Sequence, residues 1–172
     1  IKHAFGDRTT GRIVVNISDG SSRGTHDGHS IIEEAMAELV HEASLRHVDL
    51  HIVVAAGNKA NQASLYAPAN CNNVVVVGAN DARGGLSFYS NFGPQVDLLA
   101  PGGDVFSDSD NDGRPDGVLS TRTTAAGCYD PVNQNSTQQC YYSFLQGTSM
   151  AAPHVSAALA LLASQTGLRG AQ

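Results

Sequence analysis

Tryptophan is absent, methionine occurs twice and cysteine three times, and only 15% of the 172 residues are charged. So low a charge beside 41% hydrophobic residues excludes the highly charged, weakly apolar composition of a disordered chain. Ten basic residues stand against sixteen acidic ones, net -6, with no basic cluster to follow a phosphate backbone; nucleic acid is therefore not an expected partner. No apolar run reaches the roughly 20 residues of a membrane-spanning helix, so no membrane partner is expected. A charged-then-apolar leader is also lacking, and a signal peptide, if one existed, is expected to have been removed or not included. What is abundant is glycine, 18 residues of it, which fits a loop-rich secreted domain.

The scarce cysteines leave their pairing open. Cys128 and Cys140 bracket the polar stretch CYDPVNQNSTQQC and could close it as a disulfide, which in the loop-entropy picture stabilises by about 3 kcal/mol; Cys71 is then left over. Three reduced, buried thiols are the alternative. No C-x-x-C spacing suggests zinc.

Three short β-branched runs read as buried strands: GRIVVNIS (11 to 18), HIVVAAG (51 to 57) and NVVVVGA (73 to 79). Between the first two, Ser30 and Glu33 have the spacing of a capping box, followed by one apolar face of Ile32, Met36, Leu39, Val40 and Ala43. Continuous apolar strands separated by a helix imply a parallel sheet with helices packed on it. After residue 80, SFYSNFGPQVDLLAPGGDVFS reads as turns and short strands, DSDNDGRPDG as a very polar loop, VLSTR as one further strand, and Ser149 to Gln165 as a final helix. The opening IKHAFGDRTT carries no hydrophobic pattern of its own.

The final helix begins GTSMAAPHVSAALALL. A serine in a helix's first turn lies beside unpaired backbone N–H groups, whose dipoles favour negative charge. Acyl transfer needs such donors for its oxyanion, although most serines placed so are ordinary caps. The extended motif decides between the two: it resembles the nucleophile segment of the subtilisin-like serine proteases, the subtilases, with Ala157 where that pattern has glycine. The resemblance implies that Ser149 is the nucleophile and that His154 is structural. VVAAGN (53 to 58) resembles the segment ending in the family's oxyanion asparagine, here Asn58. By the same resemblance Ser18, Asp19 and Gly20 form one wall of the substrate cleft, and Ala55, Ala56 and Gly57 the other, with room for a sizeable side chain. Asp19 at the rim is expected to favour basic side chains weakly. YSNFGPQVDLLAPG (89 to 102) and VLST match further family segments in order.

The resemblance implies a subtilisin-like, doubly wound α/β fold: a mostly parallel sheet with helices on both faces, lacking its N-terminal strands in this chain. Residues 1–172 are read as one partial catalytic domain. A subtilase triad also needs an aspartate and a histidine, and neither the D-[ST]-G nor the H-G-T-H-V-A-G motif occurs. RGTHDGHS (23 to 30) contains G-T-H but follows the cleft-wall strand, where the family's histidine helix precedes it. His26 and His29 are therefore assigned to a loop near the cleft, and His41, His47 and His51 to the surface. The expected partners are a polypeptide substrate and a companion N-terminal segment carrying the missing aspartate and histidine. A nicked protease, a fragment and an inactive gene product all fit; an exposed sheet edge is poorly tolerated, which favours a companion segment or a dimer.

DSDNDGRPDG sets Asp108, Asp110 and Asp112 at alternate positions, then Gly113, Arg114 through its carbonyl, and Asp116, the opening of an EF-hand-like calcium loop. Leu119 stands where a bidentate glutamate is usual, so an isolated or weakened calcium loop is expected, with a solvated acidic turn as the alternative. The function expected is a secreted serine endopeptidase working through an acyl-enzyme. A catalytically inactive binding module on the same scaffold is the second reading, and a calcium-binding structural module the third.

Overall fold

In a computed structural model, the structure describes residues 11–20, 30–121 and 142–166. The three apolar runs form strands β1 (Gly11–Ile17), β2 (Val48–Ala55) and β3 (Val75–Asn80), and a fourth, β4 (Leu98–Pro101), joins them. All pair in parallel in the order β1-β2-β3-β4, with Val15 opposite Ile52 and Val54 opposite Val76. A short antiparallel pair lies apart, β5 (Val118–Thr121) with β6 (Tyr142–Leu145).

Period-two alternation along β2 distributes its side chains to two cores. Ile52 and Val54 point to one face and meet Met36, Leu39 and Ala43 of helix α1 (Ile31–Leu45). Val53 and Ala55 point to the other and meet Ala151, Ala152 and Val155 of helix α2 (Thr148–Thr166). Helices thus cover both faces, as expected of doubly wound α/β architecture. Ile52, Val53, Val54 and Val77 are at most 1% exposed; each contributes roughly 1.5–3 kcal/mol by leaving water. The small alanines at the start of α2 let its first turns lie close on β2 and β3, whereas Leu161 and Leu162 near its end are exposed.

The capping box forms as expected. Glu33 N–H donates to Ser30 Oγ at 3.3 Å, and Ser30 N–H to Glu33 Oε2 at 3.0 Å. The inner stripe of α1 differs from expectation in one residue: Ile32 is 40% exposed and Glu33 is buried in its place. Its carboxylate serves the cap with one oxygen and accepts from Asn70 Nδ2 with the other, so the polar side chain is satisfied where Ile32 would have packed. Both the second and third strands begin and end two residues or fewer from the apolar runs' bounds except at Val48, where β2 starts three residues early in register with Gly11. Arg12 clips the lower end of β1 to its neighbours, through Asp49 at 3.1 Å and the carbonyl of Ala163. Cys71 is a free, half-buried thiol; Cys128, Cys140, His26 and His29 lie outside the described residues.

Candidate active site

In a parallel sheet all strands end on the same side, and α2 begins there. After β1 comes Ser18-Asp19-Gly20, and after β2 comes Ala56-Gly57-Asn58. These turns and Ser149 enclose a cavity of about 320 Å³. All eight residues assigned to the nucleophile, the oxyanion donor and the two walls line it, and Lys59 and Tyr66 complete it. A larger cavity, about 690 Å³, lies against α1 and shares no residue with it.

Ser149 is locked to the wall by a reciprocal pair. Its Oγ donates to the Ser18 carbonyl at 3.1 Å, and Ser18 Oγ donates to the Ser149 carbonyl at 3.0 Å. The second bond has a cause in sequence. Pro153 lies inside α2 and lacks the N–H that a helix would direct at the carbonyl of residue 149. The Ser149 carbonyl is thereby left for Ser18, whose hydroxyl is itself held by Asn16 Nδ2 at 2.9 Å.

Thr148 orients Asn58. The Asn58 Oδ1 accepts from Thr148 N–H and from Thr148 Oγ1, both at 2.8 Å, while Thr148 Oγ1 accepts from Gly57 N–H at 3.1 Å. With its oxygen so engaged, the amide turns its Nδ2 toward the space above Gly147. A Cβ placed on Gly147 would lie 3.2 Å from Asn58 Nδ2 and 3.6 Å from Ser149 N. Two nitrogens from different elements therefore border a space left open because residue 147 is glycine. Its φ of 147° requires glycine as well.

Two buried side chains that sequence reasoning did not single out support this arrangement. Asn91 is fully buried. Its Nδ2 donates to the Ala56 carbonyl at 2.8 Å, and its Oδ1 accepts from Lys59 N–H at 2.9 Å and Asn61 N–H at 3.2 Å. Tyr89 donates its hydroxyl to the Gly103 carbonyl at 2.7 Å and accepts from Gly147 N–H at 3.1 Å. Burial pushes the Tyr89 phenol above its ordinary pKa, so it stays protonated and able to donate. Both residues sit in the YSNFG segment, where three consecutive polar side chains give no local signal of which are buried as supports.

No described histidine lines the cavity. His154 Nδ1 lies 2.8 Å from the Met150 carbonyl on the exposed side of α2, His51 pairs with Asp49 at 3.3 Å, and His41 borders the larger cavity.

The acidic loop closes on itself. Asp108, Asp110 and Asp116 each direct a carboxylate oxygen to within 4.8 Å of the others. Asp112 does not join them: its Oδ1 accepts from Arg114 N–H at 2.8 Å, and its own N–H donates to Asp108 and Asp110 at 3.1 and 3.2 Å. The Asn111 and Gly113 backbones, with φ of 59° and 83°, make the tight turn.

The family profile described as the Subtilase family matches residues 1–168. The chain belongs to the subtilase family. Among relatives, an extracellular protease of Xanthomonas campestris is 38% identical over 113 residues, 66% of this chain and 16% of that protein. Proteinase T of Parengyodontium album is 36% identical over 143 residues, 83% of this chain and 36% of that protein. Of solved structures, a protease from Pseudoalteromonas arctica superposes with a TM-score of 0.65 at 34% identity, covering 88% of this chain and 38% of that one. A lanthipeptide protease gives 0.67 at 28% identity, covering 91% and 50%. The chain thus spans half or less of the length of these relatives, whose names are those of proteases and, in the Xanthomonas case, of an extracellular one.

Proposed function

We propose that this chain is the nucleophile-bearing part of a secreted subtilase endopeptidase, which hydrolyses peptide bonds through an acyl-enzyme on Ser149. The observation that carries this reading is that Asn58 Nδ2 and the Ser149 backbone nitrogen both border the space over Gly147, 3.2 and 3.6 Å from where a Cβ on that residue would stand. The carbonyl of the scissile bond enters that space. Attack by Ser149 Oγ makes its oxygen an anion, and the two donors hold the charge without reorganising. Ser18 to Gly20 and Ala55 to Gly57 enclose the side chain of the residue being cleaved. Asp19 and Lys59 are both exposed and opposite in charge in the same cavity, so the preference for a basic side chain is small and salt-sensitive.

The proton acceptor comes from a companion segment carrying the family's histidine and aspartate. It docks where β1 has only β2 as a neighbour among the described residues. The Ser149 hydroxyl donates to a carbonyl, which cannot take its proton; this supports the second reading, that the chain alone is an inactive binding module. Calcium fits the acidic loop, whose three converging carboxylates are hard oxygen donors; Asp108, Asp110 and Asp116 would hold the ion, with Asp112 and Arg114 shaping the turn. The ion's contribution would be to stiffen the loop.

The test compares wild type, Ser149→Ala and Asn58→Ala on a peptide ester, with the companion segment present. Loss of turnover in the first and a fall of about 10²–10³-fold in kcat in the second are expected. Unchanged turnover in Ser149→Ala sinks the reading.

A further inference from the structure

We propose that Asn91, buried beneath the cavity floor and touching no substrate, is a positioning residue that holds Asn58 at the oxyanion. This rests on the reading of Asn58 given above. The loop from Ala56 to Asn61 is poorly placed to hold its own shape. It contains two residues in the left-handed region, Gly57 at φ 102° and Ala60 at φ 48°, and most of it is exposed. One amide ties three of its backbone groups: the Ala56 carbonyl before Asn58, and the Lys59 and Asn61 N–H groups after it.

The backbone of the same segment closes the remaining gaps. Asn91 N–H donates to the Gly57 carbonyl at 2.8 Å, Ala60 N–H to the Tyr89 carbonyl at 2.9 Å, and Phe92 N–H to the Asn61 carbonyl at 3.0 Å. The fit is close enough that a Cβ on Gly57 would overlap the Asn91 amide, so the glycine and the asparagine require each other. Asn58 is thus flanked on both sides by groups anchored to one side chain, while Thr148 fixes the rotation of its amide. A donor misplaced by about 1 Å can lose about 10²-fold in rate, which sets the size of the effect expected of the brace through Asn58.

The test is a double-mutant cycle in the protein with its companion segment, reading kcat and KM for Asn58→Ala, Asn91→Ala and the pair, with thermal melts for folding. Asn91→Ala is expected to lower kcat by about 10²-fold with KM within about twofold. On the Asn58→Ala background it should cost less than about threefold, because there is no donor left to misplace. Equal losses on both backgrounds, or full kcat in a folded Asn91→Ala, overturn the proposal. If Asn91→Ala does not fold, amide exchange in the wild type decides. Slow exchange at Lys59 and Asn61, both exposed residues, supports the brace, and fast exchange overturns it. Full kcat in Asn58→Ala instead overturns the oxyanion reading, a failure visible separately from the exchange result.

Discussion

Gly147→Ala separates catalysis from binding within one residue. Its Cβ would stand 3.2 Å from Asn58 Nδ2 and 3.6 Å from Ser149 N. An oxyanion needs to sit about 2.7–3.1 Å from its donors, so the methyl group and the oxygen compete for nearly the same place. Losing a single oxyanion donor costs about 2.7–4 kcal/mol, a value measured on a subtilisin and so borrowed from this family rather than independent of it. A methyl group that obstructs both donors should cost at least the lower figure, about 10²-fold in kcat. The backbone adds a cost in stability. At φ 147° an alanine is strained, and about 1–2 kcal/mol is expected. The assay is steady-state hydrolysis of a peptide ester beside a denaturant melt, so that loss of rate is scored on folded protein. KM should stay within about threefold, because the cavity walls are untouched. Retention of more than a third of wild-type kcat by folded Gly147→Ala would refute the placement of the oxyanion over this glycine.

Thr148→Val keeps the shape of a buried side chain but removes the hydroxyl between Gly57 N–H and Asn58 Oδ1; a loss of about 1–3 kcal/mol in stability and a fall in kcat larger than any rise in KM are expected, by melts and kinetics. Calcium at about 100 times its Kd should stabilise the folded chain by about 2.7 kcal/mol, read as a rise in melting temperature that chelator reverses and Asp110→Asn abolishes. Burial, and after it the nearby Glu33 carboxylate, raises the pKa of the Cys71 thiol. Little thiolate is present at neutral pH, so alkylation should be slower than for a small free thiol at pH 8 and should accelerate as pH rises past 9. Rates equal to the free thiol's would contradict this.

The parts of the fold legible in sequence are those where one strong local pattern acts. Val53, Val54, Val76 and Val77 announce buried strands because nothing else accounts for such runs, and Ser30 with Glu33 announces a helix start because the cap is local chemistry. The eight cavity residues were grouped in the sequence for a different reason: the GTSM and AAGN stretches are long enough to identify a family, and VVNISDGS resembles its wall segment. Ile32 was misplaced because hydrophobicity alone cannot show that Glu33 finds Asn70 across 37 residues and takes the inward position. Strand β6 escaped notice since YSFL acquires its strand conformation only by pairing with Val118–Thr121. Asn91 and Tyr89 were invisible as supports for the same physical reason. Their roles consist of hydrogen bonds to Ala56, Lys59 and Gly147, contacts that span 32 to 58 positions and exist only once the sheet has formed. Asp112, by contrast, has the right spacing for a cation ligand and spends its carboxylate on the turn.

The most direct test of the account is covalent labelling. The protein, with its companion segment present, is treated with a fluorophosphonate; intact mass is measured and the adduct located by peptide mapping. One adduct per molecule on Ser149, absent from Ser149→Ala, is the result the account predicts. A folded assembly that turns over peptide substrate yet carries its label on another residue, or none at all, would contradict it.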